Sequence, residues 1–114
     1  MGAECLFCKI VAGGLPAQKV FEDDQVIAFK DINPQAPTHL LIIPKKHIPS
    51  LAAAQDADAA ILGYVQLVAR DLAKQGGLSD GFRLVANNGR GAGQTVDHIH
   101  YHLLAGRRLT WPPG

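Results

Sequence analysis

The sequence has no long apolar run. Its longest aliphatic stretch is Leu40-Leu41-Ile42-Ile43, far short of the ~20 residues that a membrane-spanning helix needs. It has no excess of charge: eleven Lys plus Arg stand against ten Asp plus Glu, a formal net charge of +1. Binding driven by a duplex phosphate backbone calls for a basic stripe, so that balance argues against a nucleic-acid partner as the run lengths argue against a membrane. A small anionic ligand, held by a few placed groups, stays open. The stretch from Met1 to Gly14 has no basic lead-in and is interrupted by Lys9, so it does not read as a signal peptide. Gly2 does not read as a myristoylation site, because Leu6 stands where Ser or Thr is required. A cytoplasmic location is therefore expected, and there Cys5 and Cys8 are not expected to form a structural disulfide. No repeat, low-complexity tract or internal linker breaks the chain.

What remains is one small domain. A chain of 114 residues buries roughly two-thirds of its unfolded surface, enough to fold without a metal. A short helix is expected over Cys5 to Ala12, stopped by Gly13-Gly14 and Pro16. Lys19-Val20-Phe21 and Val26 to Lys30 read as strands around the acidic turn Glu22-Asp23-Asp24. Asp31 to Pro37 carries two prolines and reads as a loop. Thr38 to Ile43 reads as a strand buried on both faces, ended by Pro44. Ile61, Val65, Val68 and Leu72 then share one face of a longer helix, with Asp56 and Asp58 near its start and Gly76-Gly77 at its end. Phe82 to Ala86 and His98 to Leu104 read as two further strands flanking a Gly-rich loop, Asn87 to Gly93. The class is α+β: about five mostly antiparallel strands with one long and one short helix. One long helix leaves a sheet face to cover, which makes a dimer a natural expectation.

The chemistry is concentrated at His98, His100 and His102. On a strand these alternate with Ile99, Tyr101 and Leu103, so the three imidazoles share a face, roughly 7 Å between neighbours. A core does not gather three imidazoles, since each needs polar partners, and a solvated face normally uses Lys, Glu, Thr or Ser. Two chemistries stay open: a metal site, and nucleophilic attack on phosphorus by a neutral imidazole, the dominant form at pH 7 for a pKa of ~6.5. Upstream, Asn87-Asn88-Gly89-Arg90-Gly91-Ala92-Gly93-Gln94-Thr95 supplies flexible backbone, amides and a hydroxyl, the parts of an anion-binding nest. A donor loop running straight into an imidazole row favours phosphate held against a nucleophile.

His98-Ile99-His100-Tyr101-His102-Leu103-Leu104 resembles the His-φ-His-φ-His-φ-φ signature of the histidine triad (HIT) superfamily, where φ is hydrophobic. Phe7-Cys8-Lys9-Ile10, the run from Asp31 to His39, Ile43-Pro44-Lys45-Lys46-His47, Gly93-Gln94-Thr95-Val96 and the terminal Trp111-Pro112-Pro113-Gly114 resemble the Hint branch, the histidine triad nucleotide-binding proteins. The resemblance covers essentially the whole chain. It implies a HIT-like fold over residues 1–114, a sheet continued across a homodimer, and a tail, residues 106–114, near the partner's active site. It also implies a purine nucleotide-binding hydrolase that cleaves the P–N bond of nucleoside 5′-phosphoramidates through a covalent nucleotidyl-histidine. On that pattern His100 is the nucleophile and His102 contacts the phosphate. His98 fixes the nucleophile's tautomer, and His39 belongs to the adjoining polar network. Gly93, Gln94 and Thr95 cradle the phosphate, with Thr95 standing where family members commonly have Ser. Asp31, with Ile32 beside it, holds the ribose hydroxyls; one carboxylate accepts from two vicinal hydroxyls. Asn87 adds a polar contact, and Leu6, Phe7, Ile10, Phe29 and Leu41 form the base slot or else are simply core. Trp111 is expected to pack against something and to affect substrate choice.

Cys5-Leu6-Phe7-Cys8 is, by spacing, half a zinc site or two small buried apolar groups. A subset of histidine triad proteins completes such a pair with two histidines, which here are His47 and His98. A zinc held there would be structural, and no cofactor is expected for catalysis. Two alternatives to the phosphoramidase remain: a regulatory nucleotide-binding module with weak turnover, and a zinc hydrolase using the three triad histidines as ligands.

Overall fold

The computed structural model describes residues 5–114; Gly2 lies outside the described residues. The first helix, α1, spans Leu6–Val11 and is capped by Cys5, whose Sγ accepts from the Cys8 N–H at 3.3 Å. It turns Phe7 and Ile10 inward and ends before Gly13, at φ +82°. Strands β1 (Lys19–Glu22) and β2 (Val26–Lys30) form a hairpin. Its turn is closed by the Asp23 carboxylate, which accepts from the Gln25 and Val26 N–H groups, both at 2.8 Å. A short polar side chain that bonds backbone two or three residues on is what a tight turn favours. The Tyr64 hydroxyl donates to the same carboxylate and holds it below its ordinary range.

Strand β3 (Thr38–Pro44) is central, and β4 (Arg83–Val85) and β5 (Tyr101–Ala105) complete an entirely antiparallel sheet in the order β1-β2-β3-β5-β4. The sheet is covered on both faces, which is why β3 reads as unbroken hydrophobics. Ile42, Tyr101 and Leu103 pack with Val65, Val68, Ala69 and Leu72 of the long helix α2 (Ala59–Gln75). Leu41, Ile43, Ile27 and Phe29 pack with Phe7 and Ile10 of α1. Each such side chain, fully buried, contributes about 1.5–3 kcal/mol. The helix face expected from Ile61, Val65, Val68 and Leu72 is the one turned inward. Asp56–Asp58 form a one-turn 3-10 helix before α2. Asp58 is buried, accepting from the Gln55 N–H at 2.9 Å and pairing with Lys46 at 2.5 Å. No helix among the described residues is long and apolar enough to cross a membrane.

The expected strand from His98 to Leu104 is shorter at its start. Ile42 pairs with Tyr101, so two steps further the ladder would set Ile99 against Pro44, which has no N–H to donate. The chain instead sends the Ile99 N–H to the Ile48 carbonyl at 2.6 Å. His98 and His100 therefore precede β5, yet the alternation persists: Ile99 and Tyr101 lie in the α2-side core. The expected strand from Phe82 to Ala86 likewise contracts to Arg83–Val85.

Just after β5, Gly106 sits at φ +94°, and a Cβ there would lie 2.8 Å from the Pro37 Cβ. Gly106→Ala combines left-handed strain with a clash against a rigid ring. It is expected to destabilise by about 1–3 kcal/mol, read as a lower urea midpoint at unchanged m-value; an unshifted midpoint would contradict this packing.

Candidate active site

Five elements converge on the imidazoles. His98 is fully buried, and its Nε2 lies 2.7 Å from the Pro44 carbonyl oxygen. His100 Nδ1 lies 2.8 Å from the carbonyl oxygen of His98. His102, on β5, has Nδ1 2.9 Å from Nε2 of His39 on β3. His39 Nδ1 in turn accepts the Gln35 N–H at 3.0 Å, and its Nε2 is 3.3 Å from Asp31 Oδ2. The His100 and His102 rings are 5.1 Å apart, and Phe7 stands edge-on to His100 at 5.1 Å.

These partners fix the protons. A carbonyl only accepts, so His98 carries hydrogen on Nε2 and His100 on Nδ1. The bare nitrogen of His98 is Nδ1, and that of His100 is Nε2. The Gln35 N–H points at Nδ1 of His39, so His39 carries its hydrogen on Nε2 and donates it to His102 Nδ1. His102 is thereby left with an Nε2–H. Adjacent rings thus present one lone pair and one N–H donor, with every assignment set by a neighbour.

Burial, with His100 and His39 alongside, pushes the His102 imidazole down to about 4. Burial also lowers His98. A second proton on His102 would have to sit on Nδ1, facing the His39 N–H. Between pH ~6.5, where an unfolded histidine titrates, and about 4, the unfolded chain binds more protons at His102 than the folded one. Stability contributed by this site is therefore lost as pH falls through that window. Imidazole 15N spectra should show His102 as a single Nε2–H tautomer from pH 6 to 8 with a midpoint near 4; a midpoint near ~6.5 would contradict the network.

The Gly-rich loop folds as a 3-10 turn at Arg90–Ala92 between Gly89 at φ +87° and Gly93 at φ +93°. Gln94 departs from its expected place as a phosphate contact. Its amide is buried and fully engaged, donating to the Pro49 and Val96 carbonyls at 2.7 and 3.0 Å and accepting the Gly89 N–H at 2.8 Å. It staples the loop, because a buried amide must satisfy its hydrogen bonds somewhere. Thr95 is exposed. Asn87 and His102 share a cleft of about 470 Å³ with His39 and tail residues Leu109 to Thr110 and Pro112 to Gly114. Asp31 and His39 line a second cleft, of about 350 Å³.

Of the expected base-slot residues, Phe7, Ile10, Phe29 and Leu41 form one buried cluster, but Leu6 stands outside it, 47% exposed. Ile32 is wholly exposed beside Asp31. Trp111, expected in a tail that reaches the partner subunit, is 81% exposed among the described residues of the single chain.

Behind the triad, four side chains meet. The Cys5 and Cys8 Sγ atoms lie 3.4 and 3.5 Å from His98 Nδ1, and His47 Nδ1 lies 3.3 Å from it. Cys8 Sγ is 3.2 Å from His47 Nδ1, and all four ligand atoms fall within 4.8 Å of one another. Both cysteines are free, and burial, followed by Cys5, pushes the Cys8 thiol up to about 11. A divalent cation would supply the charge that two thiolates need. The set is two sulfurs and two imidazole nitrogens, the tetrahedral donor set of structural zinc. The Nε2–H of His98 is bonded to a backbone carbonyl, as metal-ligating histidines usually are. The residues fit a structural zinc. Asp31, His39 and His102 also approach within 4.8 Å of one another. There the Gln35 N–H occupies His39 Nδ1 and leaves a proton on the very nitrogen that would have to ligate. The triad itself is no ligand set either, because the bare nitrogens of His98 and His100 belong to different surroundings.

Three participants carry no signal in the sequence. The Gln35 N–H and the Pro44 carbonyl act through backbone. Arg90 donates to the Gln94 carbonyl and pairs with Asp97 at 3.0 Å, bracing the loop.

Comparison with known proteins gives a family and a fold. The family described as HIT domain matches residues 12–109. The 14 kDa zinc-binding protein of Zea mays is 52% identical over 111 residues, 96% of this chain and 87% of that protein. The crystal structure of a HIT family hydrolase from Legionella pneumophila superposes with a TM-score of 0.96 at 55% identity, covering 97% of this chain and 100% of that one. A histidine triad nucleotide-binding protein from Candida albicans superposes at 0.81 with 36% identity, covering 96% and 83%.

Proposed function

The chain belongs to the HIT domain family, and from that premise we propose that it is a nucleotide-binding hydrolase cleaving the P–N bond of purine nucleoside 5′-phosphoramidates. The observation that carries the proposal is the pairing of a bare His100 Nε2 with the His102 N–H, each fixed by its neighbours. The names of the Legionella hydrolase and the Candida nucleotide-binding protein support the reaction type and the ligand class.

The nucleoside is held with its ribose hydroxyls on Asp31 beside Ile32, and its base against Phe7, Ile10, Phe29 and Leu41. Gly93, Thr95 and Asn87 receive the phosphate. His100 Nε2 attacks the α-phosphorus; the N–P bond to the enzyme forms as the bond to the amine breaks, and the amine leaves with a proton taken from water. The imidazole gains positive charge, which the His98 carbonyl, bonded to Nδ1–H, stabilises. The His102 Nε2–H donates to a phosphoryl oxygen as charge builds there. Water then attacks phosphorus, the Nε2–P bond breaks, and AMP leaves with a proton passed to solvent, returning His100 to its neutral form. Cys5, Cys8, His47 and His98 would hold a zinc, in keeping with the name of the maize protein; it would add rigidity behind the triad and take no part in bond making. The enzyme acts as a cytoplasmic homodimer in which the tail, with exposed Trp111, meets the partner. The short edge strand β4 is where a second sheet would continue.

The test is incubation with adenosine 5′-phosphoramidate: AMP and ammonia should appear in equal amounts. Absence of AMP release across adenosine and guanosine amides would refute the reading.

A further inference from the structure

The zinc-type cluster and the nucleophile are joined by a single residue. His98 offers its ring Nδ1 to the sulfurs of Cys5 and Cys8 at 3.4 and 3.5 Å, and its own backbone carbonyl to His100 Nδ1 at 2.8 Å. The ring is held from the far side by the Pro44 carbonyl at 2.7 Å, and His98 is fully buried. A side chain pinned at both nitrogens leaves its residue little torsional freedom, and the carbonyl direction follows the backbone that carries the ring.

We propose that Cys5 and Cys8 are positioning residues for the reaction, holding His98 so that its carbonyl keeps the His100 proton on Nδ1 and the attacking Nε2 bare. The inference rests on His100 being the nucleophile. Its physical core, the link from the cysteines to the His100 tautomer, stands apart from any substrate. When His98 Nδ1 loses its partners, the ring is left with the Pro44 carbonyl and its peptide with the Ile48 carbonyl alone, the carbonyl's hold on the His100 N–H loosens, and the neutral imidazole samples the other tautomer, in which Nε2 bears hydrogen and cannot attack. His47 touches the same nitrogen, at 3.3 Å, but reaches it from a loop after β3. Cys5 caps α1 and Cys8 lies in its first turn, and Phe7 between them lies against both His98 and His100. They therefore act on ring and packing together.

The test uses the whole protein, stripped with chelator and titrated back with zinc at fixed pH 8, with far-UV circular dichroism confirming the fold at each step. The first readout is the His100 tautomer by imidazole 15N shifts. A single Nδ1–H form is expected with zinc and a mixture of both tautomers without it. The second is the kinetic split: kcat should fall about ten-fold in the zinc-free protein, the scale of loss when a supporting partner is removed, with KM within two-fold. Cys8→Ser should reproduce both changes, and Cys8→His, which keeps a ligand, should restore part of each. If stripped protein unfolds, Cys8→Ala at low temperature gives the same two readouts on a folded chain. An unchanged tautomer with unchanged kcat would overturn the proposal. A tautomer shift in a protein that turns over no phosphoramidate would preserve the cysteine–His100 link while refuting the reaction.

Discussion

His100→Ala is expected to lower kcat on adenosine 5′-phosphoramidate by at least about 10³–10⁴-fold, the scale on which removing a nucleophile acts. Binding should survive. The nucleoside contacts at Asp31 and the apolar cluster do not pass through the His100 ring, so the Kd for AMP should change by less than about ten-fold, since a single lost neutral hydrogen bond contributes about 1 kcal/mol. His100 packs edge-on against Phe7, and truncation opens a small void, so folding is to be checked by thermal melting. His102→Ala should fall between the two, losing about 10²–10³-fold in kcat, as loss of one donor to a developing oxyanion does. A His100→Ala protein that binds AMP and still hydrolyses within ten-fold of wild type would remove His100 from the reaction.

The second large effect concerns stability. Stripping zinc from the Cys5, Cys8, His47 and His98 site should lower Tm by about 12–24 °C. At zinc ~1,000-fold above its Kd, a site present only in the folded state adds about 4 kcal/mol. For a domain this size each kcal/mol moves Tm by roughly 3–6 °C. The effect is smaller than the ~10–16 kcal/mol of zinc-finger peptides, which have almost no core. Here Ile27, Ile42, Ile43, Val65 and Leu103 are fully buried without help from the metal. The stripped protein should therefore stay folded at 25 °C. Cys5→Ser and Cys8→Ser should each show the loss and no longer respond to added zinc. Purified protein with less than a tenth of an equivalent of zinc, and a Tm indifferent to zinc or chelator, would contradict a structural metal.

The sequence makes the side-chain chemistry legible and hides the backbone chemistry. The β3 run was readable because a strand covered on both faces must be apolar throughout, and the α2 face because Val65, Val68 and Leu72 follow helical spacing. The triad alternation was readable as well, although only His102 lies on a strand. Alternation survives wherever the backbone is extended, whereas strand bounds depend on which N–H finds which carbonyl. Pro44 ends the ladder for that reason. The part of His98 in fixing the His100 tautomer came with the family resemblance, but the tautomers of His39, His98 and His102 were beyond reach, since the Gln35 N–H and Pro44 carbonyl are common to any residue at those positions. Gln94 misled for a related reason. An amide in a Gly-rich loop reads as a ligand donor, but its hydrogen bonds are consumed by the Pro49, Val96 and Gly89 backbone. Trp111 is exposed in the single chain, and the expectation for it concerns a partner subunit rather than this chain's own core. The Cys-x₂-Cys spacing was legible as half a site, and its other half required the fold to bring residue 47 to residue 98.

The most direct measurement is to quench the wild-type reaction with a nucleoside phosphoramidate in the pre-steady state and map the trapped adduct by tandem mass spectrometry. The account predicts one adenylate on His100, formed as fast as amine is released and lost as fast as AMP appears. An adenylate on any other side chain, or amine release at full rate with no adduct on His100, would contradict it.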